Sequence, residues 1–214
     1  MERLFPGIET FAVPGDDPRF FSKFFINIFA DYKPEDVPMR PEAARLFKQR
    51  MADEGKDVPT SKCLPAGIPM GDLLPVPHQF IQVPGSVVVL SEGANPHRVI
   101  YTDGRTHPVD PIPTWLGYSV GKWEGNTLVV DTRGFNDRTW LDASGHARTE
   151  AMRITERYRR RDFGHMEVEL TIDDPGAYTR PFSIRYTQTL RPDMVLLENV
   201  CAENERDRVH LVGK

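Results

Sequence analysis

Proline partitions this chain. Of 19 prolines, 16 lie at or before Pro113, and only Pro175, Pro181 and Pro192 follow. Proline locks its own φ and has no N–H to give to a ladder. The first half is therefore punctuated and irregular, and the second is free to run long strands. From Val76 to Val200 the pattern predicts mainly antiparallel strand. Gln79 to Val83 and Ser86 to Ser91 flank a Pro84-Gly85 turn, and His97 to Thr102 is closed by Asp103-Gly104. Ser119 to Trp123 and Thr127 to Thr132 flank Glu124-Gly125-Asn126, a hairpin signal. Met152 to Arg159 and His165 to Ile172 flank Asp162-Phe163-Gly164, and Phe182 to Leu190 and Met194 to Cys201 flank Arg191-Pro192-Asp193. Alternation puts Met166, Val168, Leu170 and Ile172 on one face, and His165, Glu167, Glu169 and Thr171 on the other. Successive hairpins with short turns point to a meander closed into a barrel.

Regular helix belongs before Gly55. Asp17 is a cap and Pro18 a first helical residue, followed at helical spacing by Phe20, Phe21, Phe24, Phe25, Ile28 and Phe29 through Asp31. So many phenylalanines demand burial, in the chain's own core or in a second subunit, so a homo-oligomer through Phe20–Phe29 is the partner contact expected. A second helix runs from Pro41 to about Glu54 with Ala44, Phe47 and Met51 on one face, and Gly55 ends it. The expected fold is thus mainly β, an antiparallel barrel over 61–214 with an N-terminal helical arm over 1–60.

Composition narrows the function classes. The chain is 39% hydrophobic and 27% charged with net charge -4, which suits a globular domain and offers no concentrated basic surface for nucleic acid. The one basic run, Arg157-Tyr158-Arg159-Arg160-Arg161, reads as a solvated strand end. No stretch reaches membrane-spanning apolar length, so no membrane partner is expected. No signal peptide is visible after Met1, so the chain as written reads as cytoplasmic, or as exported with its signal removed. Cys63 and Cys201 lack metal spacing, and the sequence leaves two free thiols and one disulfide equally open. There is no G-x-S-x-G, P-loop, H-E-x-x-H or dinucleotide fingerprint, and no cofactor or metal is expected. A site assembled from His146, His165 and a carboxylate is the one metal arrangement worth weighing.

Chemistry concentrates in one segment between strands, Arg133 to Glu150. Asp137, Asp142 and Glu150 bring carboxylates, His146 an imidazole, Arg138 a fixed cation and Trp140 an aromatic face. A histidine held by a carboxylate works as acid or base near neutral pH, and an arginine beside it stabilises developing charge. His146 is the expected acid or base, with Asp137, Asp142 or Glu150 as partner and Arg138 as charge stabiliser. Asn136-Asp137 and Asp142-Ala143-Ser144-Gly145 are equally ordinary turn chemistry. Trp115, Tyr118 and Trp140, with His165, are the expected ligand-binding residues, and Trp123 and Tyr158 extend the aromatic set. The same aromatics serve as barrel core on the plainer reading. The resulting expectation is an acid–base enzyme (isomerase, cyclase, lyase or hydrolase) acting on a small, partly apolar molecule. A non-catalytic carrier with the same pocket is the alternative.

The run Thr114-Trp115-Leu116-Gly117-Tyr118-Ser119-Val120-Gly121-Lys122-Trp123-Glu124-Gly125-Asn126-Thr127-Leu128-Val129-Val130 continues into Gly134-Phe135-Asn136-Asp137-Arg138-Thr139-Trp140-Leu141-Asp142 and Gly145-His146. Together with Asp162-Phe163-Gly164-His165-Met166-Glu167, Ile172-Asp173-Asp174-Pro175 and Glu203-Asn204-Glu205, it resembles a large family of uncharacterised bacterial proteins, many of them exported. The resemblance covers about Lys33 to Lys214 and implies no particular activity. The strand pattern and the Gly121–Gly125 hairpin are also similar to lipocalin barrels, an analogy of fold alone.

Overall fold

A computed structural model describes residues 4–5, 7–12, 22–93 and 97–201. Among them, nine strands close into one barrel in chain order. They are β1 (Ile8–Ala12), β2 (His78–Val83), β3 (Ser86–Ser91), β4 (His97–Tyr101), β5 (Tyr118–Glu124), β6 (Thr127–Arg133), β7 (Arg153–Asp162), β8 (His165–Asp173) and β9 (Phe182–Leu190). The protein is mainly β, as the proline-poor second half requires. Helix is confined to α1 (Lys23–Ile26), α2 (Pro41–Ala52) and three short 3-10 turns.

The expected alternation holds where it was clearest. Met166, Val168, Leu170 and Ile172 of β8 are all buried. Their partners across β7 and β9 continue the layer, with Tyr158 opposite Val168 and Val168 opposite Tyr186. The outer face carries cross-strand ion pairs instead, Arg157 with Glu124, Arg159 with Glu167 and Arg185 with Glu169. Arg157, Arg159 and Arg161 of the basic run are thus neutralised and solvated, whereas Tyr158 is core and Arg160 is largely buried against Glu9.

Four expectations are corrected. The barrel is mixed, because β4 and β5 pair in parallel through Ile100–Ser119 and Tyr101–Val120. Residues 102–117 are not a hairpin turn. They carry the chain back to the end where β4 began, and that return makes the pair parallel. Second, β1 lies inside the expected helical arm yet closes the barrel between β2 and β9. Third, residues 194–201 form no strand. β9 already pairs with β8 on one side and β1 on the other, so no edge remains for a tenth strand. Fourth, the expected helix from Asp17 to Asp31 is helical only from Lys23 to Ile26 within the described residues, and Asp17 to Phe21 lie outside them. Phe24, Phe25, Ile28 and Phe29 are nevertheless buried within this chain.

In α2 the inward face is Ala43, Leu46, Phe47 and Arg50, and Met51 is exposed. Gly55, at φ +68, donates its N–H to Arg50 O at 3.0 Å and stops the helix as expected. One barrel end is filled by Phe5, Phe11 and Phe80, with Phe5 and Phe80 stacked at 4.7 Å. The opposite end is covered by the β6–β7 loop. It hydrogen-bonds Phe25 O from Ala143 N (2.8 Å), Ala66 O from Thr139 Oγ1 (2.7 Å) and Ile68 O from Arg148 Nη1 (3.0 Å).

Candidate functional site

The β6–β7 loop sorts its residues sharply. Asp142 and His146 are buried, whereas Asp137, Arg138 and Glu150 are exposed. His146 Nδ1 lies 2.5 Å from Asp142 Oδ2. The same oxygen accepts Ile28 N–H at 2.7 Å, and Oδ1 accepts Gly145 N–H at 3.0 Å and His146 N–H at 3.1 Å. With the carboxylate accepting on every side, Nδ1–H is the donor. The His146 ring stacks on Phe47 at 4.2 Å and meets the edge of Phe29 at 5.0 Å. This pair therefore ties three pieces of chain together: α2, the residues after α1 and the loop itself.

The remaining expected residues are dispersed. Arg138 makes a local turn through its backbone N–H to Asn136 Oδ1 at 3.2 Å, and its side chain does not pair with Asp142. Trp140 is buried with the Arg50 guanidinium 4.7 Å over its ring, so it is core rather than pocket wall. His165 opens β8 at the far end of the barrel, half-exposed and 2.7 Å from Asp162 Oδ1. His146 and His165 thus sit at opposite ends and share no metal. Among the described residues no group of His, Cys, Asp or Glu is arranged to hold one.

Two buried arginines escaped the sequence reading. Arg148 donates to Asn136 O, Ile68 O, Trp115 O and Asn136 Oδ1, all within 3.0–3.1 Å. Burial lowers it to about 10, against the opposing pull of Asp137 and Asp174, and it stays a cation at neutral pH. Arg98 lies inside the barrel. It donates to Ser119 Oγ (3.1 Å), Thr132 Oγ1 (2.9 Å), Asp72 Oδ2 (3.4 Å) and both oxygens of Glu156. Burial opposes its charge, but Glu156 overrides burial and holds the guanidinium well above its usual range. Tyr158 donates to Glu156 Oε1 at 2.6 Å. Burial, then the Glu156 charge, push the Tyr158 phenol well above its ordinary value. The signal was present in sequence: Glu156 falls between Ile154 and Tyr158 on the apolar parity of its strand.

His78 is buried at the start of β2, and its Nε2 has no hydrogen-bond partner among the described residues. Burial lowers it to about 4 from 6.5, against a hydrogen bond with the Leu74 backbone. The folded state therefore keeps it neutral while the unfolded chain takes up a proton below pH 6.5. Stability is expected to fall as pH drops from 6.5 to about 4, by up to roughly 3 kcal/mol. Urea titrations across that window should show the slope flattened in His78→Gln, and an unchanged slope would remove His78 as its source.

The feature that gathers expected ligand-binding residues is a cleft where β4 and β5 diverge below their two paired positions. A cavity of about 340 Å³ opens there, lined among others by His97, Val99, Tyr101, Trp115, Leu116 and Tyr118. The rings of Tyr101 and Tyr118 stack at 5.2 Å, and the Arg105 guanidinium lies 3.8 Å over Tyr101. Arg98 and Ser119 also line the cavity, but the Arg98 donors are spent on the interior network. Gly117 sits at φ +66, and a Cβ there would stand 2.7 Å from Arg133 O, so the chain can enter β5 this closely only with glycine. Arg148 holds the cleft's shape by binding Trp115 O. Neither His146 nor Asp142 lines this cavity.

Comparison of the chain with protein-family models, curated proteins and solved structures returned no match.

Proposed function

We propose that this protein is a small-molecule binding barrel whose β4–β5 cleft takes a flat, partly apolar molecule. The observation that supports this reading is the convergence of Trp115 and Tyr118 with Tyr101 on one cavity of about 340 Å³. That size falls in the range of small-molecule sites, and the aromatic lining suits stacking. No unspent cation is offered by Arg98, so shape and stacking carry recognition rather than charge. The barrel shares with lipocalins a closed sheet, a likeness of architecture alone, and differs in an interior filled by the Arg98–Glu156 network, so the ligand is placed in a side cleft.

A second reading, acid–base catalysis, rests on the buried His146–Asp142 pair at 2.5 Å. That geometry suits a histidine fixed in one tautomer. Against it stand the two phenylalanine rings packed on the imidazole and the three backbone N–H groups that occupy Asp142. The expected partners Asp137, Arg138 and Glu150 are exposed, away from the pair.

The Cys63–Cys201 bond, with Cα atoms 5.6 Å apart, supports placing the protein in an oxidising compartment. It supports the exported reading that the family resemblance implies.

Native mass spectrometry of gently purified protein tests the binding reading. A co-purifying small molecule is expected in the wild type, with the load lost in Trp115→Ala. Removal of a stacking partner should weaken affinity roughly tenfold. A Trp115→Ala variant that keeps the full load would exclude the cleft.

A further inference from the structure

A second cavity, of about 480 Å³, lies beside the disulfide and shares Pro65 with the lining of the first. Phe25, Leu64, Met70 and Leu74 give it an apolar floor, and Cys63, Asn199 and Cys201 form one side. That side is a strap. After β9, residues 191–201 run without joining the sheet. Within the described residues the strap is held by Arg191 N–H to Thr10 O (2.8 Å) at its start, Leu197 N–H to Glu92 Oε2 (2.9 Å), and the Cys63–Cys201 bond at its end. Val195, Leu197 and Val200 remain exposed on it, so apolar burial contributes little to holding it down.

We propose that this cavity is a binding site for an uncharged apolar small molecule, and that the disulfide keeps its wall in place. Volume and lining fit such a ligand. Charge selects against an anion: among the described lining residues Glu92 alone is charged, and its carboxylate already accepts from Leu197. A dithiol reductant would open the site. It breaks the Cys63 Sγ–Cys201 Sγ bond, each sulfur gains a proton as a thiol, and the dithiol leaves as its own disulfide. The strap is then held in this part of its path by one described hydrogen bond, and the cavity loses a side.

The test uses N-phenyl-1-naphthylamine, a neutral fluorophore, on the oxidised protein. Saturable binding is expected, with one molecule per chain held at this site independently of the β4–β5 cleft, and the anionic analogue 8-anilinonaphthalene-1-sulfonate should not displace that molecule. Leu64→Trp, which fills the cavity, should weaken binding at least tenfold. Asn199→Trp does the same from the exposed strap, where it cannot disturb the barrel. Cys63→Ser/Cys201→Ser, or reduction of the wild type, should weaken binding at least tenfold while the far-ultraviolet circular dichroism of the sheet is kept. Trp115→Ala should leave this binding as it was, so failure here and failure of the β4–β5 cleft are separable. Binding that survives both tryptophan variants overturns the site, and binding indifferent to loss of the disulfide overturns the role of the strap.

Discussion

Asp142→Ala is expected to lower the unfolding free energy by about 3–5 kcal/mol, since each buried donor left unsatisfied costs roughly 1–3 kcal/mol. The carboxylate accepts the backbone N–H groups of Ile28, Gly145 and His146 and the His146 ring. Asp142 itself is fully buried, so water cannot easily replace it. The loss would be felt across the whole cover, because these bonds join the residues after α1 to the loop and orient the ring against Phe47. Asp142→Asn keeps the size and one acceptor oxygen, and should fall between wild type and alanine. Urea unfolding followed by circular dichroism reads the difference. A loss under about 1 kcal/mol would mean that the pair does not clamp the fold, and the acid–base reading of His146 would then gain.

Arg98→Met should cost about as much, roughly 3–5 kcal/mol, by leaving Glu156 buried without its cation. Glu156 is fully buried, and its other described donor is the Tyr158 hydroxyl at 2.6 Å. Ser119 and Thr132 would lose their guanidinium contacts in the same step, though they keep each other at 3.0 Å. The double variant Arg98→Met/Glu156→Leu removes both charges and should recover most of the loss, because two desolvated ions are replaced by apolar packing. A double variant no more stable than the single one would show that the network contributes more than its charge pair.

Much of the barrel was legible in the chain. The alternation of β7 and β8 is carried by side chains that must face either core or water, and parity is a property of a few consecutive residues. The turns at Gly85 and Gly125, both at positive φ, are equally local. The candidate cleft was legible in part, since Trp115 and Tyr118 stood out as aromatics beside a strand. Glu156 was legible too, as a charge on an apolar parity, though its partner was not. Arg98 lies 58 residues away from it, and no local pattern couples them.

What the sequence by itself determined is therefore the material: a proline-poor second half free to run long strands, the face each side chain takes within a strand, and where the chain turns. What only the tertiary structure decided is how those strands close. β1 is five residues long and becomes a strand because it fills the gap between β2 and β9. The segment 194–201 has strand composition and is not a strand, because that gap was already filled. The β4–β5 cleft exists because a crossover made that pair parallel and short. His146 shows the same division: its neighbours in sequence read as chemistry, and its neighbours in space, Phe47 and Phe29, come from another part of the chain. Local period is set by covalent geometry within a few residues. Closure is set by which distant surfaces can be buried together, and that is a property of the whole chain.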